Sequence, residues 1–568
     1  MTMRIPIGIE DFRLLRERNL VYVDKSRLIC ELIDKPGVQA VLLPRPRRFG
    51  KSLNLSMLRC YFEKRSEDFT HLFHDLAVWR AGDAYRAHFQ RYPVIHLTFK
   101  GVKLERYEDA WAAIKEIITA LFDAHRYVLD EGVLSATEAE AYRSILAREA
   151  PPTLYHRALL DLSEALHRYH GEKVVILIDE YDQPIHAGYV HGYVREMIDF
   201  FRAFLTEGLK GNPHLERAVL TGILRIARES IFSGLNNLGV YTLLRSEFAT
   251  SFGFTEPEVV ELLEQVGRRD QLRLVQHWYN GYRFGGHVIY NPWSVLNFLA
   301  DAEGRARPYW LSTSSNDLVK QVLEARAARL QPVFEVLLAG GGIERTIDEN
   351  VVLDQLGHDD DVVWSLLAFS GYLNAEERVH DPMEPPTHYL TIPNREVREV
   401  YTSTFRTWMK ARMRDRGASL DRLTRALLEG DADAVEEQLQ LFVDNVLSYH
   451  DTGTPGPENL YHGFILGLLA VMEPEYLVRS NRESGRGRPD VMIRPAQPGK
   501  PGVLLELKVA RPGRKTLEQA LAEGLAQMQG QGYAAELAAA GATPIHTLAV
   551  AFDGKEVRVR APDITPLS

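Results

Sequence analysis

Val41-Leu42-Leu43-Pro44-Arg45-Pro46-Arg47-Arg48-Phe49-Gly50-Lys51-Ser52 is the stretch on which the fold of this chain turns. It opens with a short apolar run, as a buried strand requires. From Leu53 to Phe62 the apolar positions then recur at helical spacing. Strand, tight turn and helix follow one another, with Gly50-Lys51-Ser52 at the helix start. There the backbone N–H groups are unpaired and the helix dipole favours an anion, so the setting suits a phosphate. Lys51 would reach the β- and γ-phosphates of a nucleotide, and Ser52 would offer its hydroxyl to Mg²⁺. Arg45 stands where a phosphate loop of the common type has its first glycine. Arg47 and Arg48 would help hold phosphate by charge.

Three further apolar runs extend the pattern: Val94-Ile95-His96-Leu97, Val174-Val175-Ile176-Leu177-Ile178 and Ala218-Val219-Leu220. Continuous apolar strands separated by helices predict an α/β fold whose parallel sheet is covered on both faces. The run from Val174 ends in Asp179-Glu180. An apolar strand running into two carboxylates, behind a Gly-Lys-Ser turn, is a Walker B pattern. Asp179 would hold Mg²⁺, and Glu180 would orient and deprotonate an attacking water.

The rest of the chain bounds the answer. Its 568 residues favour several domains over one. A net charge of −10 argues against a protein that coats DNA by charge, but leaves room for a local basic site. The only cysteines, Cys30 and Cys60, make neither a disulfide framework nor a zinc cluster. Glu10 and Asp11 break any resemblance to a signal peptide, and no apolar run is long enough to cross a bilayer. A cytoplasmic protein with no membrane partner is the expectation.

Three domains are predicted: 1–300 around the phosphate loop, a largely helical 301–450, and 451–568. In the middle domain Val362–Leu373 reads as a helix ending in a Gly-Tyr-Leu turn, and His388–Asn394 as a strand, an order similar to a winged helix. Asp451–Pro457 is rich in turn residues and marks the boundary. Beyond it the order is helix (Glu458–Met472), strand (Tyr476–Arg482), Gly/Arg turn, strand (Asp490–Arg494), strand (Val503–Val509), an Ala-rich helix (Thr516–Ala539), and strands His546–Phe552 and Val557–Arg560.

Pro489-Asp490 opens one of these strands and Glu506-Leu507-Lys508 lies on the next. Side chains alternate across a strand, so Glu506 and Lys508 share a face. Two adjacent strands can thus present Asp490, Glu506 and Lys508 to one point. Two carboxylates offer hard oxygen ligands to Mg²⁺, with Mn²⁺ as the alternative ion, and a lysine stabilises charge developing on a phosphodiester. Glu458 is a further candidate metal ligand, and Gln527 a residue facing the same pocket. Arg482, Arg486, Arg488, Lys515 and their neighbours would position a nucleic acid by its phosphates. His462 is read as a satisfied helix histidine.

The segments Tyr22-Val23-Asp24-Lys25-Ser26, Pro46 to Leu53, Asp179-Glu180-Tyr181-Asp182, Thr221-Gly222 and Trp278-Tyr279-Asn280-Gly281-Tyr282-Arg283-Phe284 resemble the AAA-ATPase-like family of bacterial and archaeal proteins. That family itself departs from a glycine-first loop. The likeness implies a sensor role for Thr221 and γ-phosphate contacts for Arg225 or Arg228. For Trp278–Phe284 core packing around a tight turn is the preferred reading. Glu458 to His462, the Gly-Arg-Gly-Arg-Pro-Asp turn, Glu506-Leu507-Lys508 and Gln527 with Tyr533 resemble the PD-(D/E)XK nuclease superfamily. Together the likenesses imply an ATP-binding and ATP-hydrolysing protein whose nucleotide state controls a metal-dependent nuclease acting on DNA or RNA. The alternative is an ATP-switched regulatory protein that binds nucleic acid without cutting; a phosphotransferase ranks last. A homo-oligomer is compatible, since many such ATPases need a neighbour's arginine.

Overall fold

The computed structural model describes residues 4–225, 231–232, 235, 237–310, 317–338, 340–349, 356, 360–378, 383, 386–402, 419–446, 457–469, 472, 475–480, 489–510, 515–529 and 534–562. Two compact units divide the chain, one comprising Met1–Ala325 and Glu344–Val397, the other Arg326–Ile343 and Arg398–Ser568. The stretch 301–450 is therefore shared between them.

In the first unit the apolar runs form β1 (Ala40–Pro44), β2 (Val94–Thr98), β3 (Val174–Asp179) and β4 (Leu215–Gly222). A fifth strand, β5 (Leu238–Val240), is too short to announce itself in the sequence. The sheet order is β2-β3-β4-β1-β5 and every pairing is parallel. All residues of β1 and β3 are buried. Because alternate residues face opposite sides, both faces of those strands are covered. The helices Tyr107–Ala124, Pro152–His170 and Val194–Leu209 contribute Ile114, Ile118, Leu159, Leu162, Phe201 and Phe204 to the core. Parallel alignment brings the C-terminal ends of the strands to one edge, where α/β sheets place their ligands.

A second small sheet builds on that edge. Its strands β6 (Phe254–Thr255), β7 (Tyr282–Phe284) and β8 (His287–Tyr290) are ordered β6-β8-β7 and pair antiparallel. As expected, Trp278–Phe284 is a packing element around Gly281: Tyr279, Tyr282 and Phe284 are buried. Further along, after the short strand β9 (Ile343–Thr346), comes the predicted helix, at Asp360–Phe369. It ends before the Gly371 turn. The hairpin of β10 (Asn374–Arg378) and β11 (Thr387–Thr391) follows. Pro393, with no N–H for a ladder, lies beyond the end of β11.

Just past this hairpin, the fully buried Glu396 accepts hydrogen bonds from Ser294 Oγ at 2.7 Å and from the Trp310 N–H at 2.7 Å. Ser294 belongs to the helix Pro292–Ala300, so one carboxylate joins the segment after the hairpin to that helix.

In the second unit β12 (Tyr476–Ser480), β13 (Val491–Pro495), β14 (Gly502–Val509), β15 (Ile545–Asp553) and β16 (Glu556–Arg560) form a mixed sheet in chain order. Only β14 and β15 pair parallel. The helix Pro457–Leu469 packs on one side, with Tyr461 stacked on Phe552 at 4.3 Å between ring centres. The Ala-rich stretch is described as helices Leu517–Gln529 and Ala534–Ala539. The expected boundary at 451–456, the Gly/Arg turn at 481–488 and residues 530–533 lie outside the described residues. Among the described residues, no helix is long and apolar enough to cross a membrane.

Burial pushes the Glu396 carboxyl from its ordinary 4.5 up to about 7, against the pull of its hydrogen bonds from Trp310 and Ser294. Between those values the folded chain holds a proton that the unfolded chain has lost. Stability of the first unit is therefore expected to fall as pH rises through this window. The whole effect is on the order of 3 kcal/mol. Melting curves of wild type and Glu396→Gln across the window check this, since the difference between them isolates this one group.

Candidate functional site

The first site lies where β1, β3 and β4 end. The helix Lys51–Phe62 begins at Gly50, whose φ of +84° is natural for glycine, while Arg48 holds a left-handed φ of +69°. This turn carries Lys51 back over the loop. Its buried ammonium donates to the carbonyls of Arg45 and Pro46, both at 3.1 Å. Burial lowers the pKa of Lys51, while Glu180, Asp179 and Asp182 oppose that shift.

Asp179 is the hub. It is buried at the tip of β3, and its two carboxylate oxygens accept from Ser52 Oγ and from Thr221 Oγ1, each at 2.6 Å. The predicted group of Lys51, Ser52, Asp179 and Thr221 is thus brought together from three strand ends. Glu180 follows in a left-handed conformation, φ +50°. Burial raises its carboxyl pKa, with Lys51 acting in the opposite sense. Glu180, Arg47, Arg48, Gly50, Lys51 and Ser52 all line a cavity of about 240 Å³. Arg225 is half-buried just beyond β4, and Arg228 lies outside the described residues.

Arg45 turns out to be an anchor. It is fully buried and donates to the carbonyls of Pro44, Tyr241 and Phe248 at 2.7–3.1 Å, with its guanidinium over the rings of Phe252 and Phe284. Phe49 is clamped beside it, 5.0 Å from the ring of Tyr282 and 5.1 Å from that of Phe284. The aromatic segment therefore braces the loop from behind.

The sequence reading missed the opposite wall of the cavity. Pro6–Ile9, Val21, Val23, Pro292, Trp293 and Leu296 give it an apolar side next to the loop. Arg48 bridges the two walls, its guanidinium 4.4 Å from the ring of Trp293. A flat aromatic base would fit such a surface. Only Val23 falls in a segment singled out in the sequence; the others are apolar side chains that read as ordinary packing.

The second site lies on β13 and β14. Their register sets Val491 against Leu505, which carries Asp490 towards Glu506. Asp490 Oδ2 accepts the Leu507 N–H at 2.8 Å, and Lys508 Nζ donates to Glu506 Oε1 at 2.7 Å. The three predicted residues therefore converge. Glu506 is fully buried, and its Oε2 has no partner among the described residues. Burial raises its carboxyl pKa although Lys508 opposes this. Burial alone would lower the Lys508 pKa, but the bond and charge of Glu506 carry it upward.

Gly524, in the helix Leu517–Gln529, lies against this pair. A Cβ there would sit 3.5 Å from Lys508 Cγ and 3.7 Å from Glu506 Cγ. Gln527, one helical turn on, is half-buried. Lys515 pairs with Glu523 of the same helix. Glu458 falls in the helix Pro457–Leu469, with its side chain outside the described residues, as are Arg482, Arg486, Arg488 and Tyr533.

Both donor sets suit a hard divalent cation. At the first, a carboxylate already holds two hydroxyls; at the second, a buried carboxylate oxygen lacks a donor among the described residues. Glu506→Gln keeps the shape of the buried side chain but takes the anion from Lys508. In metal-free buffer it is expected to destabilise the second unit by about 2 kcal/mol. Mn²⁺ should raise the melting temperature of wild type and leave that of the variant unchanged, both read by calorimetry.

Two family models match the chain. One, described as "Predicted AAA-ATPase", covers residues 6–232, and the other, the PD-(D/E)XK nuclease superfamily, covers 456–561. The chain is also similar to an uncharacterized protein in the vnfD 5' region of Azotobacter chroococcum mcd 1. The two are 28% identical over 563 residues, spanning 97% of this chain and 96% of that protein. The chain thus joins an AAA-ATPase-like domain at residues 6–232 to a PD-(D/E)XK nuclease superfamily domain at residues 456–561.

Proposed function

We propose that this protein binds and hydrolyses ATP at the loop beside Asp179, and that its nucleotide state governs a nuclease acting on DNA or RNA through Asp490, Glu506 and Lys508. The single observation that carries the reading is the convergence of Ser52 and Thr221 on Asp179, each at 2.6 Å. It gathers the Gly50-Lys51-Ser52 turn, the acidic end of β3 and Thr221 of β4 around one point, which supports a phosphate loop beside an acidic strand end and a sensor.

Ser52 and Asp179 would hold Mg²⁺ at the first site, and Asp490 and Glu506, with Glu458 as a further candidate, would hold Mg²⁺ or Mn²⁺ at the second. When bound, such an ion supplies neutralising charge at phosphoryl oxygens and a lower pKa for bound water. The residues of the chain have separate duties. Lys51 faces the β- and γ-phosphates, and the N–H groups of the helix start at Gly50 cradle them. Arg47 and Arg48 add charge at the mouth. Arg225 reaches towards the γ-phosphate. Glu180 accepts the proton of the attacking water, a duty helped by its raised pKa, which moves the carboxylate towards neutral pH. In the nuclease domain Lys508 stabilises charge developing on the scissile phosphate, while Glu506 holds the ammonium in place.

Lys51→Ala is expected to weaken ATP binding by at least about 100-fold, as a charge facing two phosphates implies. Equilibrium titration with a fluorescent ATP analogue measures it. Asp490→Ala and Lys508→Ala are each expected to reduce cleavage of plasmid or RNA by about 1,000-fold or more while sparing ATP binding. Gels run with Mg²⁺ or Mn²⁺, with and without ATP, report the products. Undiminished cleavage by Asp490→Ala would remove that residue from the site, and nucleic acid bound but never cut would favour a regulatory binding protein.

A further inference from the structure

Asp182 occupies the start of the helix Gln183–His191, yet its side chain makes no cap there. An aspartate in that place ordinarily accepts the N–H two or three residues on. This one is fully buried and reaches sideways instead. Its Oδ2 accepts the backbone N–H of Ile223 at 2.7 Å and of Leu224 at 3.0 Å, the two residues that follow β4. Its Oδ1 is buried without a donor among the described residues, and His186 Nε2 stands 3.6 Å from Oδ2. Giving up a local cap for a distant pair of amides makes sense only if that distant turn has to be held.

Other bonds tie the same two turns. The Tyr181 N–H donates to the Thr221 carbonyl at 3.2 Å, and Tyr181 Oη donates to the Leu224 carbonyl at 2.7 Å. Thr221 Oγ1 donates to Asp179. Gly222 lies between them with no room to spare: a Cβ there would be 2.8 Å from Asp182 Cγ and 2.8 Å from Tyr181 Cε1. The turn that carries Glu180 and the turn that leads to Arg225 are therefore locked as one body, with Asp182 holding the far side.

We infer that Asp182 is a positioning residue that fixes the segment 223–225 to the Glu180 turn, so that the water-activating carboxylate and Arg225 respond together to the γ-phosphate. The inference rests on the ATP reading above. It goes beyond it in giving a third acidic residue of this strand end a role that touches neither phosphate nor ion.

Hydrogen exchange tests this without relying on turnover. In wild type, a non-hydrolysable ATP analogue with Mg²⁺ should slow exchange both in the loop 44–54 and at 223–225. In Asp182→Ala the amides of Ile223 and Leu224 should exchange about 30-fold faster, the size of a lost charge-assisted bond. They should no longer respond to nucleotide, while the loop still does. Asp182→Asn, whose amide oxygen can accept both N–H groups, should restore most of the protection. ATP turnover should show a fall in kcat of similar size at nearly constant nucleotide affinity. Should Asp182→Ala fail to fold, Tyr181→Phe removes one bond to Leu224 and should loosen the same residue to a smaller extent. Unchanged exchange at Ile223 and Leu224, or an affinity loss matching that of Lys51→Ala, overturns the positioning role alone. A wild-type loop that ignores the nucleotide overturns the ATP reading and this inference together.

Discussion

The buried carboxylate of Asp179 is the constraint on which the N-terminal domain depends. Three strands reach the same edge of the sheet, and Asp179 at the tip of β3 and Thr221 near the tip of β4 would be expensive to bury alone. Asp179 meets that demand by accepting hydroxyls from the loop helix on one side and from β4 on the other. Parallel strand order makes this possible, since β4 lies between β1 and β3 and brings Thr221 within reach. An insertion that shifted any one strand by a residue would turn its tip residue to the wrong face.

The nuclease domain solves a related problem with less. A single pair, Glu506 and Lys508, is carried on one strand and shielded by a helix that approaches closely at Gly524. Lys508 meets one oxygen of the carboxylate, and the other has no donor among the described residues. Such incompleteness reduces stability locally and is what a cation-binding position needs. The two domains thus place acid groups in buried positions by different routes, one by cross-strand convergence and the other by alternation along a strand.

Much of this was legible in the residues. Gly50-Lys51-Ser52 after an apolar run, and Asp179-Glu180 after another, are local signals, and the strands formed where the apolar runs lay. Glu506 and Lys508 followed from the period of two along β14, and Asp490 from the start of the strand beside it. What escaped had no local mark. β5 is three residues of ordinary composition. The apolar wall from Pro6 to Ile9 and at Trp293 acquires its meaning only when distant segments meet. Asp182 looked like one more acid in a run, because the amides it holds lie far along the chain. Arg45 showed only as a departure from the usual glycine, and its role became visible in the carbonyls and rings around it.

That inward arginine has a consequence for how a ligand enters. Loops that begin with glycine are pliant when empty, and a ligand must first tame them. Here the guanidinium is plugged into the body of the domain by three carbonyls and flanked by two aromatic rings, with Phe49 wedged alongside. The cradle is set before anything arrives, so association demands little ordering of the backbone. Recognition at this edge resembles a key meeting a finished lock, and selectivity falls to the shape of the rigid recess.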